Sequence, residues 1–395
     1  MRNSYFVKKQ KTVINSHLFF LFLFVVCVGS SFWLYKNKQS TGNVSVRNIE
    51  RKVIYPTLYS DLHITKNAVI SDPKLRNLSF FDKKKVLANS ISSAGIIKAT
   101  SSLVSLENGT WLWTDILKIT PKYRNSIIAQ AKKSGIYNIY LSLDTYLDIY
   151  AMPFGEERDK KQKEFDTVLD NFISEADKNK MTVDAEAGWR NWAEDGNTYK
   201  AFIILNYVRT FNQSHDKKFR GIQYDIEPYL LDEYSENKQK VLTNFLNLAD
   251  QISSVLGSDD LQLSFVVPNF YDGVEKITPQ FLYNGKNGFI FDHLLNILDT
   301  RDNSKIILMS YRNFSSGDNG SVSISRDEIY SADNHKTRVV IAQETSNVEP
   351  SYITFHNTSL KYYRQQIADI EKAFSKNKGF GGVATHYINS LVELN

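Results

Sequence analysis

Two carboxylates one residue apart, Asp225 and Glu227 in the run YDIEPY, are where this sequence first offers chemistry. Residues two apart in an extended chain project to the same side, with Cα atoms roughly 6.5 Å apart. Each acid then raises the cost of ionising the other, so one carboxyl keeps its proton near neutral pH and can act as a general acid. Tyr224 and Ile226 face the opposite side, and Pro228 turns the chain out of the strand. A third acid, Glu344 at the end of RVVIAQE, has two readings. It is the nucleophile of a two-carboxylate mechanism with Glu227 as acid/base, or it pairs with Arg312 and shapes the pocket.

Such groups need a frame, and from Gly109 onward one pattern recurs: a short β-rich run, then a longer stretch with helical spacing of apolar residues. The runs are TWLWT (110–114), YNIYLSL (137–143), MTVDAEA (181–187), GIQYDIE (221–227), LQLSFVV (261–267), KIILMSY (305–311), RVVIAQE (338–344) and GGVATHY (381–387). Helices are expected over 163–176, 238–255 and 361–375. Eight sequential βα units predict an α/β protein with a (β/α)8 TIM barrel over 109–395, not a doubly wound sheet. The chain ends soon after the eighth run, so its helix is short or absent, and an amphipathic stretch at 80–97 is a candidate to cover the gap.

In this architecture the reacting groups sit at the C-terminal ends of the strands. Substrate-binding candidates are therefore Trp111, Trp113, Asp144, Glu186, Trp189, Asn269, Tyr271, Arg312, Gln343, His386 and Tyr387, and Tyr311 joins the catalytic set of Asp225, Glu227 and Glu344. Several aromatic rings at one barrel mouth suit the flat apolar faces of sugars. Asp144 and Glu186 suit sugar hydroxyls.

The fourth run, FRGIQYDIE, resembles the Asp-Gly-x-Asp-x-Asp-x-Glu signature of chitinase-like family 18 glycoside hydrolases: Gly221, Asp225 and Glu227 match, while Arg220 and Gln223 replace the two earlier aspartates. LMSYRN carries Met309 and Tyr311 in the family's Met-x-Tyr pattern, with Arg312 replacing the usual Asp or Asn. Gly381 and Gly382 match the start of the eighth strand, and His386 replaces the usual tryptophan floor. The third strand has AEAGW where the family has Ser-x-Gly-Gly. The resemblance spans the barrel and implies substrate-assisted hydrolysis. Glu227 would protonate the glycosidic oxygen, the substrate's acetamido oxygen would attack the anomeric carbon, and Asp225 with Tyr311 would orient that group.

Composition excludes several classes. The chain of 395 residues is 42% hydrophobic and 13% aromatic with 8 Pro, enough for a sizeable core and unlike a disordered chain. Cys27 is the single cysteine, which rules out a disulfide framework, and no His-Glu-x-x-His occurs; neither a metal nor a cofactor is expected. Seven basic residues precede the first acid, Glu50, so the rest carries a formal charge of −2 and offers no stripe for nucleic acid.

Between Lys11 and Lys36, the uncharged run 18–35 could span about 27 Å as a helix. This predicts a basic cytoplasmic tail (1–17), a transmembrane signal anchor (18–35), and a stalk with packing segment (36–108) leading to an extracellular barrel. A cleaved signal peptide, with Gly29, Ser30 and Ser31 at the processing site, is the alternative. The expectation is a membrane-anchored extracellular glycoside hydrolase acting on a cell-surface or secreted polysaccharide. An inactive glycan-binding barrel is its rival.

Overall fold

The eight β-rich runs close on themselves. The computed structural model describes residues 106–394. Its barrel consists of β1 (Glu107–Leu112), β2 (Asn138–Ser142), β3 (Thr182–Ala187), β4 (Gly221–Tyr224), β5 (Gln262–Pro268), β8 (Lys305–Met309), β9 (Arg338–Glu344) and β10 (Phe380–His386). A small antiparallel hairpin, β6 (Phe281–Tyr283) and β7 (Lys286–Gly288), is inserted between the fifth and sixth barrel strands. The barrel is closed in the order β1-β10-β9-β8-β5-β4-β3-β2, with every neighbouring pair parallel.

The first strand begins at Glu107, earlier than the expected start at Gly109. Helices Glu156–Lys178, Lys238–Leu256 and Leu360–Phe374 occupy the expected stretches. The last has its N-terminus fixed by Ser359, whose Oγ accepts from Tyr362 N. One helical turn, Ile388–Leu391, follows β10. The expected tail, membrane anchor and stalk, and the stretch 80–97, lie outside the described residues. No helix among the described residues is long and apolar enough to cross a membrane.

Strand alternation sorts the barrel interior into three levels. At the N-terminal end, Arg220 bridges two buried acids: Nε donates to Asp184 Oδ1 at 2.8 Å, Nη1 to Glu107 Oε2 at 3.1 Å, and Nη2 to Glu107 Oε1 at 3.0 Å. Lys305 pairs with Glu107 as well and donates to Gln262 Oε1 at 3.1 Å. Two acids and two bases thus neutralise each other in the floor. Above them lies an apolar level of Trp111, Tyr140, Val266, Ile307, Val340, Ala342 and Ala384. Trp113, Met309, Tyr311 and Tyr387 pack on it from the C-terminal end.

Candidate active site

The fourth strand ends at Tyr224, whose side chain points away from the barrel axis and donates its hydroxyl to Ala201 O at 2.9 Å. Asp225 continues the pairing with β3, its N–H donating to Ala187 O at 3.1 Å. This close approach requires glycine at position 188, because a Cβ there would lie 2.0 Å from Asp225 O. Asp225 and Glu227 therefore leave β4 on its inner side at the C-terminal rim. Tyr229, one 3₁₀ turn further on, donates its hydroxyl to Glu227 Oε1.

Burial is the main cause that raises both carboxyls. For Asp225, the charges of Glu227 and Asp144 add to it, and its Oδ1 is buried without a partner. For Glu227, the Tyr229 hydroxyl, His386 and Arg190 work against it, and the net effect is still upward. Glu186, on the inner face of β3, is 3% exposed and pushed well above the ordinary range, first by burial and then by Asp144 and Asp225. Donors from Ser142 and Trp113 only partly offset this.

Glu344 behaves in the opposite way. Burial alone would raise it, but His386, Ser346 and their hydrogen bonds bring it below the ordinary value. Its Oε1 accepts from Thr345 N at 2.8 Å, Ser346 N at 2.6 Å and Ser346 Oγ at 2.7 Å, and its Oε2 lies 2.6 Å from His386 Nδ1. The partner is thus His386 and not Arg312. Arg312 donates instead to Asn319 Oδ1 at 2.9 Å and Tyr311 O at 2.7 Å and lies over the Tyr352 ring, so its guanidinium staples its own loop.

His386 is held by rings as well as by charge. Its imidazole packs edge-on to Trp113 at 4.5 Å between ring centres, with Trp111, Tyr311 and Tyr387 at 5.7 to 5.8 Å. The expected floor position is thus filled by an imidazole locked in an aromatic cage.

The rim brings together Trp113, Asp144, Glu186, Asp225, Glu227, Tyr311, Glu344, His386 and Tyr387. Trp189 follows β3 and is 45% exposed, and Asn269 is half-buried just past β5. Three expected sugar contacts are corrected. Trp111 is 1% exposed, one level below the rim, and donates Nε1 to Gln223 Oε1 at 2.6 Å. Gln343 faces outward, where Nε2 donates to Ser310 O at 2.9 Å and Oε1 accepts from Ser321 Oγ at 3.1 Å. Tyr271 is 1% exposed and packs edge-on against Tyr229 and Phe245 behind Glu227. All three side chains are almost wholly buried.

Sequence reasoning missed Tyr229, Arg190, Ser142 and Ser346. Tyr229 and Ser346 each lie two residues beyond a flagged acid, a spacing that places a hydroxyl beside a carboxylate whenever the chain turns there. Among the described residues, no group of three or more His, Cys, Asp or Glu side chains could hold a metal ion.

No family model matches the sequence, and no curated protein matches it. Among solved structures, the chain is similar to the endo-1,4-beta-mannanase of Rhizomucor miehei, with a TM-score of 0.48 and 11% identity over 71% of this chain and 86% of that one. It is similar to a GH18 chitinase from Pseudoalteromonas aurantia, with a TM-score of 0.43 and 14% identity over 73% and 99%. A GH18 chitinase from Cycas revoluta, in complex with (GlcNAc)3, gives 0.42 and 11% over 73% and 96%. These likenesses concern the course of the chain, and the chemistry rests on the residues themselves.

Proposed function

We propose that the barrel is a glycoside hydrolase acting on a polysaccharide of N-acetylated amino sugars, with Glu227 as general acid and Asp225 and Tyr311 holding the substrate's acetamido group. The observation that carries this reading is the Asp225/Glu227 pair at the C-terminal rim. Both carboxyls are raised above their ordinary values, by burial first, so the pair holds a proton to higher pH than ordinary carboxyls do. Glu227 gives that proton to the glycosidic oxygen as the bond to the anomeric carbon breaks. The acetamido carbonyl oxygen closes on the same carbon, and the Asp225 carboxylate offsets the positive charge that grows on the nitrogen. Water then opens the cyclic intermediate, returning its proton to Glu227.

Incubation of the full chain with acetylated amino-sugar polymers, peptidoglycan fragments and exopolysaccharide tests this reading. Release of new reducing ends is expected; retention of glycan without cleavage would favour the inactive glycan-binding barrel. The apolar run 18–35 supports a location outside the cell, tethered to the membrane. Protease protection of intact cells checks this, with the barrel expected to be digested from outside.

The two-carboxylate alternative draws on one observation, the lowered and hence ionised state of Glu344. Against it stands the engagement of both Glu344 oxygens, which suits a group that positions His386. Glu344→Ala separates the two. A positioning role predicts a loss of about 10- to 100-fold that added azide does not restore, whereas a missing nucleophile is replaced by azide, giving a glycosyl azide.

The pH profile follows from the pair. Activity needs one proton shared by Asp225 and Glu227, so kcat/KM should rise with the first ionisation and fall with the second, both above the range of ordinary carboxyls. In Asp225→Asn the second ionisation no longer meets an anion. Its residual activity should then have an alkaline limb at lower pH than that of the parent.

A further inference from the structure

The hydrolysis above leaves His386 without a part, although its imidazole is fixed from several sides. It ends β10 in phase with Ala384 on the inner face, and its side chain is 13% exposed. Nδ1 is buried and lies 2.6 Å from Glu344 Oε2, while the ring packs on Trp113, Trp111, Tyr311 and Tyr387. Nε2 is different. It has no hydrogen-bond partner among the described residues and is not enclosed, so it is the atom that the imidazole presents to the mouth.

The order of strands says what Nε2 meets there. Three strands separate β4 from β10 in either direction round the barrel, so His386 stands across the mouth from Glu227, and it is one of the groups that act on that carboxyl. A sugar with C1 at Glu227 and its C2 acetamido group at Asp225 and Tyr311 turns C4, the ring atom opposite C1, toward β10. In the gluco configuration every ring substituent is equatorial, and the faces of the ring carry C–H groups alone. Such a face laid over His386 would strip water from Nε2 and leave it without a partner. In the galacto epimer the C4 hydroxyl is axial and stands out from the face. A hydroxyl both donates and accepts, so it satisfies Nε2 whether or not the imidazole is protonated.

We propose that His386 is a specificity-determining residue and that the reacting unit is galacto-configured, an N-acetylgalactosamine whose axial C4 hydroxyl bonds to His386 Nε2. The proposal rests on the hydrolase reading above. Glu344, kept below its ordinary value by His386 and Ser346, holds the imidazole by Nδ1 and so fixes the direction of Nε2. The linkage is restricted as well: the C4 hydroxyl must be free, so the polymer continues from C3 of that unit.

The test compares β-1,3-linked aryl dimers of N-acetylgalactosamine and of N-acetylglucosamine as substrates of the full chain. The galacto dimer should have a kcat/KM about 10- to 100-fold higher, the worth of one hydrogen bond to a group that is otherwise stranded. His386→Phe keeps a ring among the aromatic neighbours and removes Nε2. Adding Glu344→Gln to it removes the acid that the first change leaves unpaired, which guards against a variant that fails to fold. In both variants the ratio between the epimers should fall to within a few-fold of one, whereas a structural role would slow both dimers alike and keep the ratio. Preference of the parent for the gluco dimer, or a galacto preference that survives in both variants, overturns the role of His386 and leaves the hydrolase intact. Equal use of the two dimers, as a contact to the shared C6 hydroxymethyl group would give, overturns it too. Calorimetry with Glu227→Gln separates this failure from that of the hydrolase. Cleavage of neither dimer, with tighter binding of the galacto dimer that His386→Phe abolishes, removes the hydrolase and keeps the galacto-specific face. Binding of neither dimer removes both.

Discussion

Replacing Glu227 by glutamine is expected to lower kcat by about 10²- to 10⁴-fold while the affinity for glycan stays within a few-fold. Glutamine keeps the shape of the side chain and an oxygen for the Tyr229 hydroxyl, which donates to Glu227 Oε1 in the parent. It cannot deliver a proton to a leaving oxygen. The loss should therefore fall on kcat, the signature of an interaction made only in the transition state. Calorimetry on the variant with an intact oligosaccharide, beside reducing-end release by both proteins, measures the two quantities. Equal turnover by parent and variant would remove Glu227 from the chemistry. A parallel collapse of binding would turn it into a structural residue.

Arg220→Ala should lower the free energy of unfolding by about 3 to 5 kcal/mol, because it strands Glu107 and Asp184 in the barrel floor. Both acids are nearly inaccessible, and both take their main hydrogen bonds from this guanidinium. Burial acts to raise the Glu107 carboxyl, yet Arg220 and Lys305 together bring it from 4.5 to about 2. A folded-state value below the unfolded one contributes stability that is complete above the ordinary carboxylate range. That contribution is lost as the pH falls from 4.5 toward about 2. The difference between parent and variant in urea unfolding should therefore be largest at neutral pH and shrink in that acidic window. Adding Glu107→Gln and Asp184→Asn to the variant should recover part of the loss, since neutral groups are cheaper to bury unpaired than charges. A difference below about 1 kcal/mol at neutral pH would mean that water reaches the floor and screens it.

The barrel was legible because each strand carries its own signal: a β-rich run of the right length, followed by a helical period. The hairpin between β5 and β8 was missed although Asn284-Gly285 announces a two-residue turn, and both residues adopt positive φ, 48° and 78°. Its strands are only three residues long, too short for a periodic pattern to stand out.

Within the site, alternation tells which way a side chain faces but not its depth, which depends on the stagger between strands. Glu344 lies in phase with Val340 and Ala342 on the inner face, so Gln343 had to face outward, and that much could have been read from the sequence. Trp111 and Trp113 share the inner face as well. Only the pairing of Trp111 with Tyr140 across β1 and β2, and its bond to Gln223, put the first ring one level too low for sugar. The partner of Glu344 was beyond reach for a related reason. The exits of β9 and β10 meet at the rim, with Thr345 N–H donating to His386 O at 2.8 Å, and this brings the imidazole and not Arg312 to the carboxylate. Arg220 reads as a gap in a catalytic signature and proves to be the keystone of the floor.

The most direct test of the account replaces the acetamido methyl of an aryl N-acetyl amino-sugar dimer by fluoromethyl, difluoromethyl and trifluoromethyl groups in turn and measures kcat/KM for each. Fluorine withdraws electrons from the carbonyl oxygen, so the rate should fall stepwise along the series if that oxygen attacks the anomeric carbon while Asp225 and Glu227 assist. A rate that stays level across the series would contradict the account, since the attacking group would then belong to the protein or to water.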